Sequence, residues 1–298
     1  MPAIQIIGQT VTTTRVNLRH GAPSTSAPVL RKLDSGTPLS ITAVITGTVV
    51  QGNGQWFQTD EPAFVWSGGC GPLQISAPAV TGTTGSAASQ QQPNVVDISH
   101  GDAVTSFTQA RVAGVIGVIH KATTGQSGFD PLYGARRADA AQAGLLWGAY
   151  HWGTAAPADL QVKNFLAVAQ PDADTLVALD FEADPGNQMT LAGARAFLQG
   201  IEDALGRRAV LYSANTIKEA LGSTKDTYFG GHRLWLAQYS KTPKVQASWD
   251  SYWLWQYTDG TDRSPKVKVP GIPGDSNGNL DCDLFMGSEE QLRAQWAS

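Results

Sequence analysis

Thr175-Leu176-Val177-Ala178-Leu179-Asp180-Phe181-Glu182 is the stretch on which the reading of this chain turns. Leu, Val and Ala fill its first positions and neither Gly nor Pro interrupts it, the mark of a buried β-strand. At its end two carboxylates stand two residues apart. Strand side chains alternate faces, so Asp180 and Glu182 are expected on one face and Leu179 and Phe181 on the other. Two acids on an otherwise apolar strand are costly unless solvated, paired or used. Asp-x-Glu alone is equally a chance pair at a wet strand end, so the flanking sequence has to decide.

Outward from that strand, residues after Pro93 alternate between strand-like and helical stretches. Upstream lie Asn94–Ile98 and Val115–Ala122, a helical stretch from about Pro131 to Ala143, Gly144–Trp152, and a helix from roughly Pro157 to Ala169. Downstream a helix from about Thr190 to Leu205 carries a Thr cap and aliphatic residues at helical spacing. Strands are then expected at Ala209–Tyr212, Leu234–Tyr239, Tyr252–Tyr257 and Leu280–Phe285. Eight strand candidates with helices between the earlier ones predict an α/β fold, a TIM-like β/α barrel. The last three strands leave little room for helices, so the barrel is expected to be irregular and depleted of helices near its C-terminal end.

In such a barrel the chemistry sits at the C-terminal ends of the strands. Those ends carry Asp97, His120 or Lys121, Tyr150 and His151, Asp180 and Glu182, Tyr212, Gln238 and Tyr239, Gln256 and Tyr257, and Asp281. Each alone is ordinary strand-end polarity. Together they place four carboxylates and several aromatics around one mouth, which predicts a functional acidic pocket. Crowded carboxylates raise the pKa of at least one of them and keep a proton available near neutral pH, as glycoside hydrolysis needs. A metal that activates water is the other use of Asp and His together. His100, His120 and His151 show no HxxxH or HxH spacing, so hydrogen bonding at the barrel rim is the preferred reading for them.

Composition narrows the classes further. With 298 residues, 42% hydrophobic and 15% charged, the chain has sequence enough for a large core or two unequal ones. A net charge of −4 offers no electrostatic case for nucleic acid or an anionic membrane. Nine Trp fit sugar stacking and core packing alike. Cys70 and Cys282 are far apart and show no CxxC or zinc-type spacing, so neither a disulfide framework nor structural zinc is expected. Met1-Pro2-Ala3-Ile4-Gln5 lacks the basic and apolar regions of a signal peptide, and no segment is long enough to span a bilayer. The export route is left open.

From about Val11 to Pro72 the texture is all-β, short alternating runs punctuated by Gly21-Ala22-Pro23-Ser24 and Asp34-Ser35-Gly36-Thr37-Pro38. That predicts a small barrel. Val16-Asn17-Leu18-Arg19, Pro23-Ser24, Val29-Leu30, Leu33, Gly36-Thr37, Trp56 and Val65-Trp66-Ser67 resemble the bacterial SH3-like (SH3b) module. The resemblance implies binding of cell-wall peptides or tethering; Trp56 is either a ligand platform or, the preferred reading, a core residue. Ser76–Gln92 is polar and aperiodic, a flexible linker. The expected division is therefore residues 1–75 for the SH3-like domain, 76–93 for the linker and 94–298 for the catalytic barrel.

Across 94–298 a set of motifs resembles the family 25 glycoside hydrolases, the Chalaropsis-type lysozymes or N-acetylmuramidases. The matching pieces include Val96-Asp97-Ile98-Ser99, Ile119–Gly125, Gly148-Ala149-Tyr150-His151-Trp152, Leu179–Glu182, Leu211-Tyr212-Ser213, Leu234–Tyr239, Trp255-Gln256-Tyr257 and Leu280–Phe285, in the family's order. The resemblance implies that the barrel cleaves the β-1,4 bond between N-acetylmuramic acid and N-acetylglucosamine in peptidoglycan. Glu182 would be the acid/base, and Asp180 would orient the substrate N-acetyl group for internal attack or act more directly. Asp97 and Asp281 would be the remaining acids. Tyr150, Tyr212, Gln238, Tyr239, Trp255 and Tyr257 would contact sugar. No cofactor or metal is implied, and a monomer acting on the bacterial wall or outside the cell is expected. Two motifs depart from the pattern: Thr124 stands where Glu is usual in Lys-Ala-Thr-Glu-Gly, and Asp283 where Asn is usual in Val-Asp-x-Asn. The rival readings are a metal-dependent deacetylase or amidase on the same polymer, and a wall-binding protein without turnover.

Overall fold

The computed structural model describes residues 8–61, 63–75, 92–261 and 264–298. The N-terminal pentapeptide and nearly all of the expected linker lie outside the described residues. The described residues form two compact units, one holding 8–75 with the short stretches 106–113 and 139–144, the other the remainder from 92 on.

Apart from those stretches and one 3-10 turn at Ser67–Gly69, the first unit is all-β. Its strands are β1 (Gly8–Val11), β2 (Val16–His20), β3 (Val29–Leu33), β4 (Pro38–Val50), β5 (Asn53–Thr59), β6 (Ala63–Trp66) and β7 (Gln74–Ile75). They pair antiparallel in the order β3-β2-β6-β5-β4-β1-β7. The long β4–β5 hairpin turns at Gln51-Gly52, both with positive φ, 50° and 83°, which matches the right-handed twist of the flanking strands. Alternation delivers Leu18, Ile41, Phe57 and Val65 to the interior. Trp56 is 1% exposed and its indole N–H donates to the Thr48 carbonyl at 2.9 Å, so it packs in the core and offers no ligand platform. Cys70 and Cys282 are both free and buried.

The second unit is a closed barrel. Its strands are β8 (Val95–Ile98), β9 (Gly117–Thr124), β10 (Gly128–Phe129), β11 (Leu146–Trp152), β12 (Leu176–Asp180), β13 (Val210–Ser213), β14 (Leu234–Ala237), β15 (Leu254–Thr258) and β16 (Asp281–Leu284). Eight of them follow one another as β9-β11-β12-β13-β14-β15-β16-β8, and β8 pairs back onto β9. β10 is a short antiparallel addition on the edge of β9. Neighbours are parallel from β8 through β15, whereas β16 is antiparallel to both β15 and β8. The α-helices are α1 (Phe107–Val112), α2 (Tyr133–Gln142), α3 (Ala158–Ala169), α4 (Leu191–Leu205), α5 (Thr216–Leu221) and α6 (Glu289–Gln295). Among the described residues no α-helix separates β14 from β15 or β15 from β16, which is the depletion the spacing predicts. The helices α1, α5 and α6 were not expected. At six or seven residues they complete too few turns to show a helical period.

The barrel interior is filled by Ile119, Leu176, Ala178, Val210 and Leu254 from the strands, with Phe285, Leu292 and Trp296. Trp296 follows α6, is 1% exposed, and donates its indole N–H to the Trp147 carbonyl at 2.7 Å. It packs against Gly117, where an added Cβ would lie 2.6 Å from the indole ring. Gly117 opens β9, so the C-terminal helix plugs the N-terminal end of the barrel and leaves the opposite end for the site.

Candidate active site

A single row of partners across four strands builds one wall of the site. Trp152 on β11 is in register with Asp180 on β12, Asp180 with Tyr212 on β13, and Tyr212 with Trp235 on β14. Parallel strands in register present these side chains on one face, and all four line a cavity of about 80 Å³. Tyr150, two residues before Trp152, joins them, as does Glu182 just beyond the end of β12. The far wall is Asp97 on β8, in register with Asp281 on β16. Asp281 is the first residue of its strand and not the last. It reaches the mouth because β16 runs against its neighbours, a correction to the expectation that every site residue ends a strand.

The four expected carboxylates therefore converge, with Tyr150 and Tyr212 beside them. Burial raises the pKa of each acid. Asp97 is pushed well above the carboxylate range by desolvation and then by neighbouring Asp283; Asp180 by desolvation and then by Glu182; Asp281 by desolvation and then by Asp97. Glu182 is raised by desolvation against the opposing pull of Tyr212 and Lys121. The Lys121 ammonium sits 4.7 Å from the Trp152 ring centroid and 6.0 Å from that of Tyr150. Oδ1 of Asp180 is buried and has no hydrogen-bond partner. Glu182 also lines a second, wider hollow of about 340 Å³ with Ala183, Ala214, Asn215, Thr216 and Glu219. It thus stands on the wall between two spaces.

Other expected residues lie elsewhere. Gln256 points inward, donating from Nε2 to Asp97 Oδ2 at 2.8 Å, so Trp255 and Tyr257 on the same strand face the other way and do not line the cavity. Gln238 is occupied with Lys218, Lys244 and Ser240. Tyr239 is 39% exposed and donates to Gln256 Oε1 at 2.8 Å, which keeps it at the rim of the acid cluster. Two residues of this site, Trp152 and Trp235, were not singled out from the sequence, whereas Gln256 was expected at a strand end and Asp283 stood out only as a departure from a motif. The strand period of two would have found both tryptophans, since each is two positions from an interior residue of its own strand.

The histidines serve the fold. The Nδ1–H of His120 donates to the Lys121 carbonyl at 2.7 Å and its Nε2 accepts from Arg136 at 3.1 Å. His151 accepts from the Thr123 hydroxyl at 2.7 Å and donates to Gln161 at 3.0 Å. Burial lowers both rings to a pKa of about 4, so they are neutral. Among the described residues no group of three or more His, Cys, Asp or Glu could hold a metal ion.

A protected acid beside a second carboxyl, with tryptophan and tyrosine rings around a small opening, can protonate a leaving oxygen and stabilise positive charge on carbon. Comparison with known proteins agrees with that chemistry. The model of glycosyl hydrolases family 25 matches residues 96–264, more than half of the chain. The uncharacterized protein YegX of Escherichia coli O157:H7 is 26% identical over 179 residues, covering 58% of this chain and 60% of YegX. Among solved structures, a family GH25 lysozyme from Aspergillus fumigatus is 26% identical with a TM-score of 0.55, over 68% of this chain and 98% of its own. A bacterial lysozyme from Streptomyces coelicolor has the same fold at a TM-score of 0.60 and 23% identity, over 70% and 98% of the two chains. The chain thus spans about three-fifths of the length of the curated relative it matches.

Proposed function

The chain belongs to glycosyl hydrolases family 25, and from that membership and the acid cluster we propose that it is a peptidoglycan hydrolase, a lysozyme of the N-acetylmuramidase type. It cleaves the β-1,4 bond between N-acetylmuramic acid and N-acetylglucosamine. The observation that carries the reading is the convergence of Asp97, Asp180, Glu182 and Asp281 on one cavity with Trp and Tyr walls.

Glu182 is the general acid. Desolvation keeps its proton on at a pH where an exposed glutamate would have lost it. Its place between two hollows lets it reach an oxygen that bridges two sugars. Asp180 presents a buried, unpartnered oxygen, an acceptor for the N–H of the substrate N-acetyl group. So held, the acetamido oxygen attacks the anomeric carbon as the glycosidic bond breaks, and water then opens the intermediate. Asp97 and Asp281 hold negative charge near the oxocarbenium-like transition state, and Tyr150, Tyr212, Trp152 and Trp235 supply ring faces and edges for the sugar. No cofactor enters this scheme.

Residues 1–75 are an SH3-like module that binds the wall through its peptides, joined by 76–93 to a catalytic domain of residues 94–298. The protein works as a monomer on the bacterial wall or outside the cell. The test is digestion of purified peptidoglycan followed by mass analysis of the products. New reducing ends on N-acetylmuramic acid are expected; reducing N-acetylglucosamine, free glucosamine or released peptides would each overturn the assignment.

A further inference from the structure

Behind Asp97 the structure holds a fifth carboxyl that does not reach the cavity. Asp283 lies two residues beyond Asp281 on β16, so it shares the inward face, and it is completely buried. Its neighbours are fixed. The Trp235 indole N–H donates to its Oδ1 at 2.6 Å. Its backbone is in register with Val95 of β8 on one side and with Gln256 of β15 on the other. Oδ2 is buried and has no hydrogen-bond partner. Its carboxyl and that of Asp97 interact side chain to side chain, and Asp97 is itself held by the Gln256 amide at 2.8 Å.

Two buried carboxylates in contact repel and cannot both stay ionised, whereas one proton between them converts repulsion into a charge-assisted hydrogen bond. The indole occupies one oxygen of Asp283 with a donor, which leaves the unpartnered Oδ2 as the atom to carry a proton. We propose that Asp283 is a positioning residue that shares one proton with Asp97, so that the pair bears a single negative charge and Asp97 is fixed beside the cavity while that proton is held. The idea deepens the muramidase reading and rests on it for its catalytic consequence, though not for its physical test.

The groups facing the pair are Asp281 on the same strand, Trp235 from β14, Gln256 from β15 and Asp102 beyond β8, with Tyr150, Asp180, Tyr212 and Tyr239 on the cavity side of Asp97; Cys282 and Tyr257 lie close by but point to the opposite face. Further acids add to the repulsion on Asp97, and burial pushes the Asp283 carboxyl up to about 8. The sign follows. A carboxyl whose folded pKa is raised gives stability that is complete below its unfolded value, about 4, and is lost as pH rises through the folded value.

The experiment measures the unfolding equilibrium of the full chain against pH for wild type, Asp283→Asn, Asp97→Asn and the double variant. Asn keeps the shape of Asp, still accepts from the indole, and donates an N–H that cannot ionise. Between about pH 5 and 7 the wild-type folded-to-unfolded ratio should fall about tenfold more per pH unit than that of Asp283→Asn, the signature of one proton. Asp97→Asn should remove the same slope, and the double variant no more than either. A slope for Asp283→Asn parallel to wild type overturns the proposal. So do separate, additive slopes for the two single variants, which would mean two independent protons. If Asp283→Asn does not fold, the Asp97→Asn slope decides alone. In wall lysis the alkaline fall of activity should lie higher for Asp283→Asn than for wild type. If peptidoglycan is not the substrate the lysis comparison fails while the stability slopes still report on the shared proton.

Discussion

At the scale of single residues the site runs on desolvation opposed by one cation. Asp180 and Glu182 are both raised by burial, and Lys121 pulls both back. Glu182→Gln keeps size and polarity but cannot give a proton, so wall lysis should fall by at least about 100-fold, the usual worth of a general acid. Circular dichroism and the melting temperature should stay near wild type; retention of most activity would remove Glu182 from its role. Lys121→Met deletes the charge that favours the carboxylates and spares most of the packing over Trp152. The pKa of Glu182 should then rise further, the acid should stay protonated to higher pH, and the alkaline limb of the pH–rate profile should move up. An unmoved limb would mean that Glu182 does not set it.

At the scale of elements, two ends of the barrel are made by different devices. The closed end depends on α6, whose Ser288 caps the helix in a reciprocal box with Gln291 and whose last turn delivers Trp296 against Gly117. Trp296→Ala should cost about 3–5 kcal/mol in chemical unfolding, the range for losing a large buried ring. Gly117→Ala should destabilise as well, because the indole would have to move away from its bond to Trp147. The open end depends on strand direction. Reversal of β16 brings Asp281 beside Asp97 and sets Asp283 behind it. On the flank, Thr190 caps α4 by accepting from the Gly193 N–H at 3.0 Å, and Thr190→Ala should cost about 1 kcal/mol. A loss below a few tenths would mean that another group replaces the cap.

At the scale of the molecule, the barrel closes on itself through β8 and β9 without a strand from the first unit. Removal of residues 1–92 should therefore leave a folded barrel with activity on soluble glycan fragments and weaker action on intact walls. Failure of that fragment to fold would show that the expected boundary is misplaced. Acid–base balance is also a property of the whole. Asp97, Asp180, Glu182 and Asp281 have raised pKa values, so the stability they carry is present below about 4 and is lost as pH rises. Asp130, Asp172 and Asp259, held by hydrogen bonds to their charged forms, act in the opposite direction and lose theirs as pH falls. Thermal melts should accordingly peak in mildly acid buffer and decline toward pH 8; a melting temperature that climbs steadily to pH 8 would contradict this sign.

The sequence by itself determined the strands, the longer helices and the four acids that meet at the cavity. Periodicity is a local property, and it is plain in Leu176–Asp180 and in the 15 residues of α4 behind their Thr cap. It also brought Asp180 and Glu182 to one face, and both line the same cavity. Tertiary structure alone decided the direction of β16, and with it why Asp281 belongs at the mouth from the start of its strand. It decided that Gln256 turns inward while Trp255 and Tyr257 turn out, and that Trp152 and Trp235 complete the wall. It set Asp283 against Asp97. Those outcomes depend on which strands pair, in what register and in which direction, and pairing joins residues far apart in the chain whose local patterns carry no record of one another.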